Sequence, residues 1–299
     1  MASYRHTLAP PHINNDFYFT QVHGISVNAG ANDDVIIPGG ALDVSAVILA
    51  SAEPTVSIMT HDLTTALTEV GLSTGLSCTG ASTFYYQRRA DAGTFTTSTT
   101  HQKLVSATGF LNLNSISVAQ DSAAELALTY YPFSSDGVTQ PLAYTDSVAL
   151  GSSPAFVSKF FFGGVKLGSS FLNGVTSVSY DNGLAFRYHA QDGAHYRTNG
   201  SIYARTPSIT LTWHSVQALA NYSPDLFIDA ATNLKVFFKK GVSGSHRVAN
   251  ATAEHTSILF ATSAWKPVSI DAQGSEDTAL SIRATCIGTP TLDMATAIS

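Results

Sequence analysis

Four histidines stand in two matched pairs, His61 with His214 and His101 with His255. A repeated imidazole is a candidate metal ligand. A zinc site, however, needs further donors at ligand spacing, and the chain has no His-x-Glu-x-His, Cys-x-x-Cys or His-Glu-x-x-His. His61 and His214 stand next to expected helix caps, where an imidazole would hydrogen-bond the chain entering the helix. His189, Asp192 and His195 cluster in a loop-like stretch with no clear copy elsewhere. The acid pairs Asp33-Asp34 and Glu276-Asp277 fall near expected turns. Gly241-Val-Ser-Gly-Ser is glycine-rich, but it lies between strands and lacks the strand-to-helix setting of a phosphate cradle. No nucleophile elbow, P-loop or dinucleotide fingerprint is present. Two facing carboxylates of a glycosidase could still be assembled by the fold. The reading is a non-enzyme with no catalytic residues, no metal and no cofactor.

The doublets Arg88-Arg89 and Lys239-Lys240 stand out because the chain is poor in cations. Each ends an aromatic-rich strand, Phe84-Tyr-Tyr-Gln in one case and Val236-Phe-Phe in the other. They are candidate subunit-interface groups that would pair with acids on a neighbouring copy. The plainer reading is a solvated strand end.

These residues recur because the chain nearly repeats itself. Pro54-Thr-Val-Ser-Ile-Met-Thr-His61 is answered, 153 residues on, by Pro207-Ser-Ile-Thr-Leu-Thr-Trp-His214. His101 to Tyr131 runs beside His255 to Thr285 at a separation of 154. Upstream, Val22-His-Gly-Ile-Ser is aligned with Leu172-Asn-Gly-Val-Thr. A period of this size means tandem domains, not a solenoid. The expected organisation is an N-terminal arm (1–11), repeat one (12–132), a linker (133–153), repeat two (154–287) and a loose tail (288–299).

Alternating apolar and polar residues predict strands at 55–60, 83–87, 103–107, 115–119 and 125–131. Repeat two carries their counterparts at 208–213, 235–239, 256–261, 268–272 and 278–284. One helix interrupts each repeat. Asp62 caps Leu63, Ala66, Leu67 and Val70 before Gly71, and Ser215 caps Val216, Leu219 and Ala220 up to about Tyr222. The fold class is mostly β: tandem β-sandwich or half-barrel units, each with one short flanking α-helix.

Hydrophobic residues make up 44% of the chain and charged residues 12%, against a usual charged share of about 25%. Such a lightly charged Ser/Thr-rich surface suits extensive protein contact. Residues 1–150 hold four Lys/Arg against twelve Asp/Glu, a balance of −8. Residues 151–299 hold eleven against nine, a balance of +2. Acidic and basic halves favour head-to-tail contact between copies, and no basic groove for nucleic acid is evident. Cys78 and Cys286 are not equivalent between the repeats and read as free thiols, which fits a reducing compartment. No signal peptide and no membrane span is expected.

Three segments carry a family resemblance: Pro207-Ser-Ile-Thr-Leu-Thr-Trp-His-Ser-Val-Gln-Ala-Leu, Leu234-Lys-Val-Phe-Phe-Lys-Lys-Gly-Val-Ser-Gly-Ser-His-Arg-Val-Ala, and the closing strands to Cys286. Repeat one holds a weaker copy around Phe84-Tyr-Tyr-Gln-Arg-Arg-Ala-Asp-Ala-Gly. This pattern resembles the tail tube proteins of long-tailed (siphovirus-type) bacteriophages, in a duplicated form. The resemblance implies a virion structural protein assembled in the host cytoplasm. It implies homotrimeric, pseudo-hexameric rings stacked into a tube that conducts DNA, with tape measure, tail terminator and baseplate or tip proteins as further partners. The segments 15–28 with 160–179, and 30–52 with 185–202, are the expected lumen strands. Loops 28–34 and 191–199 would meet neighbouring rings. Two other classes stay open: a β-sandwich adhesin that binds glycan through Trp213, Trp265 or tyrosines, and a hydrolase.

Overall fold

The computed structural model describes residues 5–36, 46–89, 99–150, 158–189, 193–213, 233–241, 247–271 and 279–298. The first unit begins with β1 (Arg5–Leu8), β2 (His12–Ile13), β3 (Phe17–Tyr18), β4 (Val22–Asn28), β5 (Ala31–Ile36), β6 (Ala46–Ala52) and β7 (Thr55–Thr60). A short helix, α1, leads to β8 (Leu76–Cys78), β9 (Ser82–Arg89), β10 (His101–Ser106), β11 (Thr108–Ala119), β12 (Glu125–Phe133) and β13 (Ala143–Val148). The second unit begins with β14 (Phe160–Leu167), β15 (Ser170–Phe171), β16 (Val175–Asp181), β17 (Leu184–His189), β18 (Asn199–Arg205) and β19 (Ser208–Trp213). It ends with β20 (Leu234–Lys240), β21 (His255–Phe260), β22 (Thr262–Asp271), β23 (Ala279–Ile287) and β24 (Thr291–Thr296).

Helix α1 is α-helical over Leu63–Thr65 and widens into a π turn over Ala66–Val70. The Asp62 carboxylate caps it, accepting from the Thr65 amide at 3.2 Å and from the Thr20 amide and hydroxyl at 3.0 and 2.8 Å. Leu63, Ala66, Leu67 and Val70 are buried, as their spacing predicts. Gly71, with φ 74°, ends the helix in a backbone region that favours glycine. The expected second helix, Ser215 to Tyr222, lies outside the described residues.

The main sheet runs β22-β23-β19-β16-β11-β12-β7-β4, with β8 also paired to β11. Its first four strands belong to unit two and its last four to unit one, in matching order. A second sheet, β13-β10-β9 continuing to β1, β2 and β3, covers the first half; β15-β14-β20-β21-β24 is its counterpart in unit two. The hairpins β5–β6 and β17–β18 form separate two-stranded sheets. One core joins the layers: Val56, Ile58, Leu128 and Tyr130 meet Ile13 and Phe84, while Val178, Tyr180, Ile209 and Leu211 meet Val236, Ile258 and Phe260. Alternation explains the main sheet. Val56, Ile58 and Thr60 are buried while Thr55, Ser57 and Met59 are half-buried on the opposite face.

Register makes the duplication quantitative. β11–β12 and β22–β23 pair identically at an offset of 154, from Thr108↔Phe133 and Thr262↔Ile287 onward, and even the bulges match at Leu113/Ser115 and Pro267/Ser269. The hairpins match at 153, with bulges at Asn32/Asp33 and Ala185/Phe186. Gly30 and Gly183, at φ 54° and 58°, open them alike; each carbonyl accepts an amide, from Glu53 and from Thr206, at 3.0 Å. β4 and β16 pair with β7 and β19 at the same offset of 153, with bulges at Val22/Gly24 and Val175/Ser177. This corrects the sequence alignment of Val22 with Leu172: Val22 corresponds to Val175. A shared glycine drew the alignment three residues out of the register that strand pairing imposes.

Two segments expected to be irregular contain strands. Within 133–153, β13 pairs with β10, and within 288–299, β24 pairs with β21. The two strands are themselves counterparts. Both lie at sheet edges, and β13 is exposed along nearly its whole length, so it lacks the alternation that marks a strand in sequence. Asp33-Asp34, expected at a turn, lie within β5.

Candidate assembly interface

The two units are joined through β11 and β16. Five register pairs, from Ser115↔Asp181 to Ala119↔Ser177, run across the seam. Beyond its ends the contact continues. The Gln120 amide donates to the Thr176 carbonyl at 2.9 Å, the Asn182 amide to Asn114 at 2.8 Å, and the Ala124 amide to Phe160 at 2.7 Å. Arg205 closes one end: its guanidinium donates to the Leu72 carbonyl at 2.7 Å, to Asn182 Oδ1 at 3.0 Å and to the Tyr180 hydroxyl at 3.2 Å. Burial pushes the Tyr180 hydroxyl up to about 12 although Arg205 pulls the other way, so the phenol stays protonated and can donate to Asn182 Oδ1 at 3.0 Å.

The seam is heterologous. β16 is the counterpart of β4, and β11 is the counterpart of β22. The two ends of the main sheet, β4 and β22, are therefore the same kinds of edge that pair inside the chain. By register, Ser26, Val27 and Asn28 hold the places of Ser179, Tyr180 and Asp181, while Asp271, Ile270 and Ser269 hold those of Ser117, Ile116 and Ser115. The equivalents of the polar Tyr180, Asn182 and Arg205 are Val27, Ala29 and Ala52. These three line an apolar cavity of about 190 Å³ with Leu49, Pro54 and Leu142. Val27 is 40% exposed.

The sheet face away from the core presents small polar residues. Ser57, Thr129, Ser117, Thr210 and Thr212 alternate with the buried Val56, Leu128, Val118, Ile209 and Leu211. Glu125 and Asp181 add carboxylates to this face.

The basic doublets end their strands as expected, but structurally they are staggered by one residue. β9 and β20 pair with β10 and β21 so that Arg88 corresponds to Lys240 and Gln87 to Lys239. Lys240 forms an ion pair with Glu254 at 2.8 Å, which holds that carboxyl below its usual range, and Lys239 donates to Asn250 at 2.5 Å. Arg88 and Arg89 lie beside β1, opposite His6 and Arg5. Their contacts with another copy remain an expectation.

Three of the four paired histidines, His61, His101 and His255, lie among the described residues and bond the backbone. His101 and His255 are buried, and each Nδ1 accepts a backbone amide, from Arg88 and Lys240 respectively. His61 does not bond the chain entering α1. Its Nδ1 meets the Ala124 carbonyl, just before β12, at 2.9 Å, and its ring stacks on His23 at 4.6 Å. His23 also lies 3.7 Å from Glu125. A cavity of about 530 Å³ opens beside them, lined by His61, Ser117, Ser122, Glu125, Lys159 and Phe161 among others. Among the described residues no three His, Cys, Asp or Glu side chains are grouped to hold a metal ion. His189 bonds Ser201 at 2.8 Å, His195 is exposed, and Asp192, His214, Glu276 and Asp277 lie outside the described residues. Residues 242–246 of the glycine-rich stretch do too.

Trp213, named above as a possible sugar platform, is 3% exposed and packs in the core. Cys78 and Cys286 are free and buried, and burial pushes the Cys78 thiol up to about 11. Among the described residues no helix is long and apolar enough to cross a membrane.

Edge pairing was legible in the sequence only as a duplication. The signal that could have located it is the matched bulge positions, which need strand register to be seen. No protein-family model matches the chain, and no curated protein matches it.

Proposed function

We propose that this protein is the subunit of a closed homotrimeric ring, stacked into a tube of the phage tail type that conducts DNA. The observation that carries this reading is the head-to-tail seam. Within one chain, a β11-type edge pairs with a β4-type edge, and one edge of each type is left at the ends. A heterologous contact that repeats itself closes into a ring when its rotation permits, and closure removes sheet edges that would otherwise aggregate. Eight strands per chain lie along this path, so three chains supply twenty-four. At a strand spacing of roughly 4.8 Å and a tilt of ~40°, twenty-four strands enclose a backbone barrel about 48 Å across. Side chains narrow this to roughly 40 Å, which admits a duplex about 20 Å wide.

The Ser/Thr part of this face, beyond the aromatics on which Phe186 lies, supports a lumen role. Short neutral hydroxyls with scattered carboxylates dominate this face, with Arg283 a cation on it opposite Thr210, so phosphates meet few fixed cations and DNA slides past. The expected lumen segments 15–28 and 160–179 contribute β4 and β16 to this sheet, whereas β14 lies in the covering layer. Electron microscopy of the purified protein tests the proposal. Rings with three-fold symmetry and a hollow centre support it; a protein that stays monomeric at high concentration contradicts it.

A further inference from the structure

The second hairpin is held down by aromatic stacking on unit one. Phe186 of β17 lies against Phe110, Tyr131 and Phe133, with ring centroids 5.0, 4.4 and 6.3 Å apart. Tyr188 meets Tyr131 edge-on at 5.6 Å and donates to the Pro54 carbonyl at 3.1 Å. The first hairpin has the same backbone register.

Register translates this clasp to the other seam. Asp33 holds the place of Phe186. Ala264, Thr285 and Ile287 hold those of Phe110, Tyr131 and Phe133. The next pair along the strands, Asn112 and Thr129, becomes Lys266 and Arg283. Where the internal clasp puts a long aromatic over aromatics, register gives the free ends an aspartate at the place of Phe186, and two cations at the pair next along from 264 and 285. Ile287 is 56% exposed, although its counterpart Phe133 is covered by the hairpin. Arg283 is exposed as well.

We propose that the hairpin β5–β6 of one copy docks on β22–β23 of the next copy, with Asp33 forming ion pairs with Lys266 and Arg283. This rests on the ring reading and gives its contact a chemistry. The occupant is a second copy of this chain, because the hairpin that carries the acid follows β4, one end of the main sheet, while the cations lie on β22 and β23 at its other end, in the register places that Phe186 and its partners hold inside the chain. A flexible cation reaches about two residues along a strand, roughly 6–7 Å, so both bases can meet a carboxylate placed over position 264 or 285. Charge in place of aromatic stacking also sorts the two seams: a swapped pairing would set the carboxylate of Asp33 over aromatics or leave the two cations facing Phe186 without an acid.

Sedimentation of four proteins separates the possibilities. Asp33→Lys, and separately Lys266→Glu with Arg283→Glu, should each raise the concentration for half-assembly about tenfold or more. Combining all three substitutions should restore assembly, which also shows that the variants fold. Wild-type assembly should weaken as salt rises. If wild type assembles but the reversals change nothing, or the triple variant stays dissociated, the ion pair is wrong while the ring stands. If wild type never assembles, both readings fall.

Discussion

The backbone amide of Lys240 donates to Nδ1 of His255 at 3.2 Å, and Arg88 stands in the same relation to His101 at 2.9 Å. An accepting Nδ1 leaves the proton on Nε2, and in His255 that nitrogen donates to the Ala249 carbonyl at 2.9 Å. Each ring thus satisfies a buried amide at the end of a strand. Either His→Ala substitution removes this acceptor and opens a cavity, so each should lower stability by about 2–4 kcal/mol in urea unfolding. A loss below 0.5 kcal/mol would contradict the structural role.

The turn glycines should tolerate no side chain. A Cβ at Gly30 would overlap the Glu53 carbonyl, and one at Gly183 the Thr206 carbonyl, at positive φ in both cases. Gly30→Ala and Gly183→Ala should each cost about 1–3 kcal/mol. Thermal unfolding of both variants checks this, and equal losses are expected because the turns are equivalent.

Arg205 should hold the two units together. Arg205→Met leaves the Leu72 carbonyl and Asn182 with fewer partners and should cost about 2–3 kcal/mol. Denaturation of this variant should broaden as the units unfold separately, whereas wild type should unfold in one transition. An unchanged single transition would show that the knot does not couple them.

Alkaline pH should destabilise the fold. Burial pushes the Tyr130 and Tyr180 hydroxyls up to about 12, from an ordinary value of 10.0. Below pH 10 both states keep the proton, and the stability is fully present. Between about pH 10 and 12 the unfolded chain releases protons that the folded chain retains, so stability falls by about 1.4 kcal/mol per pH unit per tyrosine. Tyr130→Phe with Tyr180→Phe should flatten the profile in that window, as followed by circular dichroism.

How far the fold could be read depended on which signal each element carries. Thr55–Thr60 and Ser208–Trp213 have one buried face, so their alternation marked them with the observed bounds. Asp62 announced α1 because a carboxylate there has a specific amide to bond. β13 was invisible because an exposed edge strand obeys no burial pattern. Val22 was misaligned because a shared glycine outweighed a register that exists only between strands. The basic doublets were legible as a pair, but their stagger and the Lys240–Glu254 contact, fourteen residues apart in sequence, depend on strand register that composition does not encode. The head-to-tail seam follows from sheet order, which no local signal contains.

Cross-linking tests the edge pairing most directly. If β4 of one copy pairs with β22 of the next as β16 pairs with β11, position 26 faces position 271 across the seam. The native cysteines are buried, so introduced thiols can be oxidised selectively. Ser26→Cys with Asp271→Cys, mildly oxidised and run without reductant, should give covalent dimers and trimers and nothing larger, while either single variant stays uncross-linked. Monomer alone, or a ladder that continues past three, would contradict a three-chain ring closed through these edges.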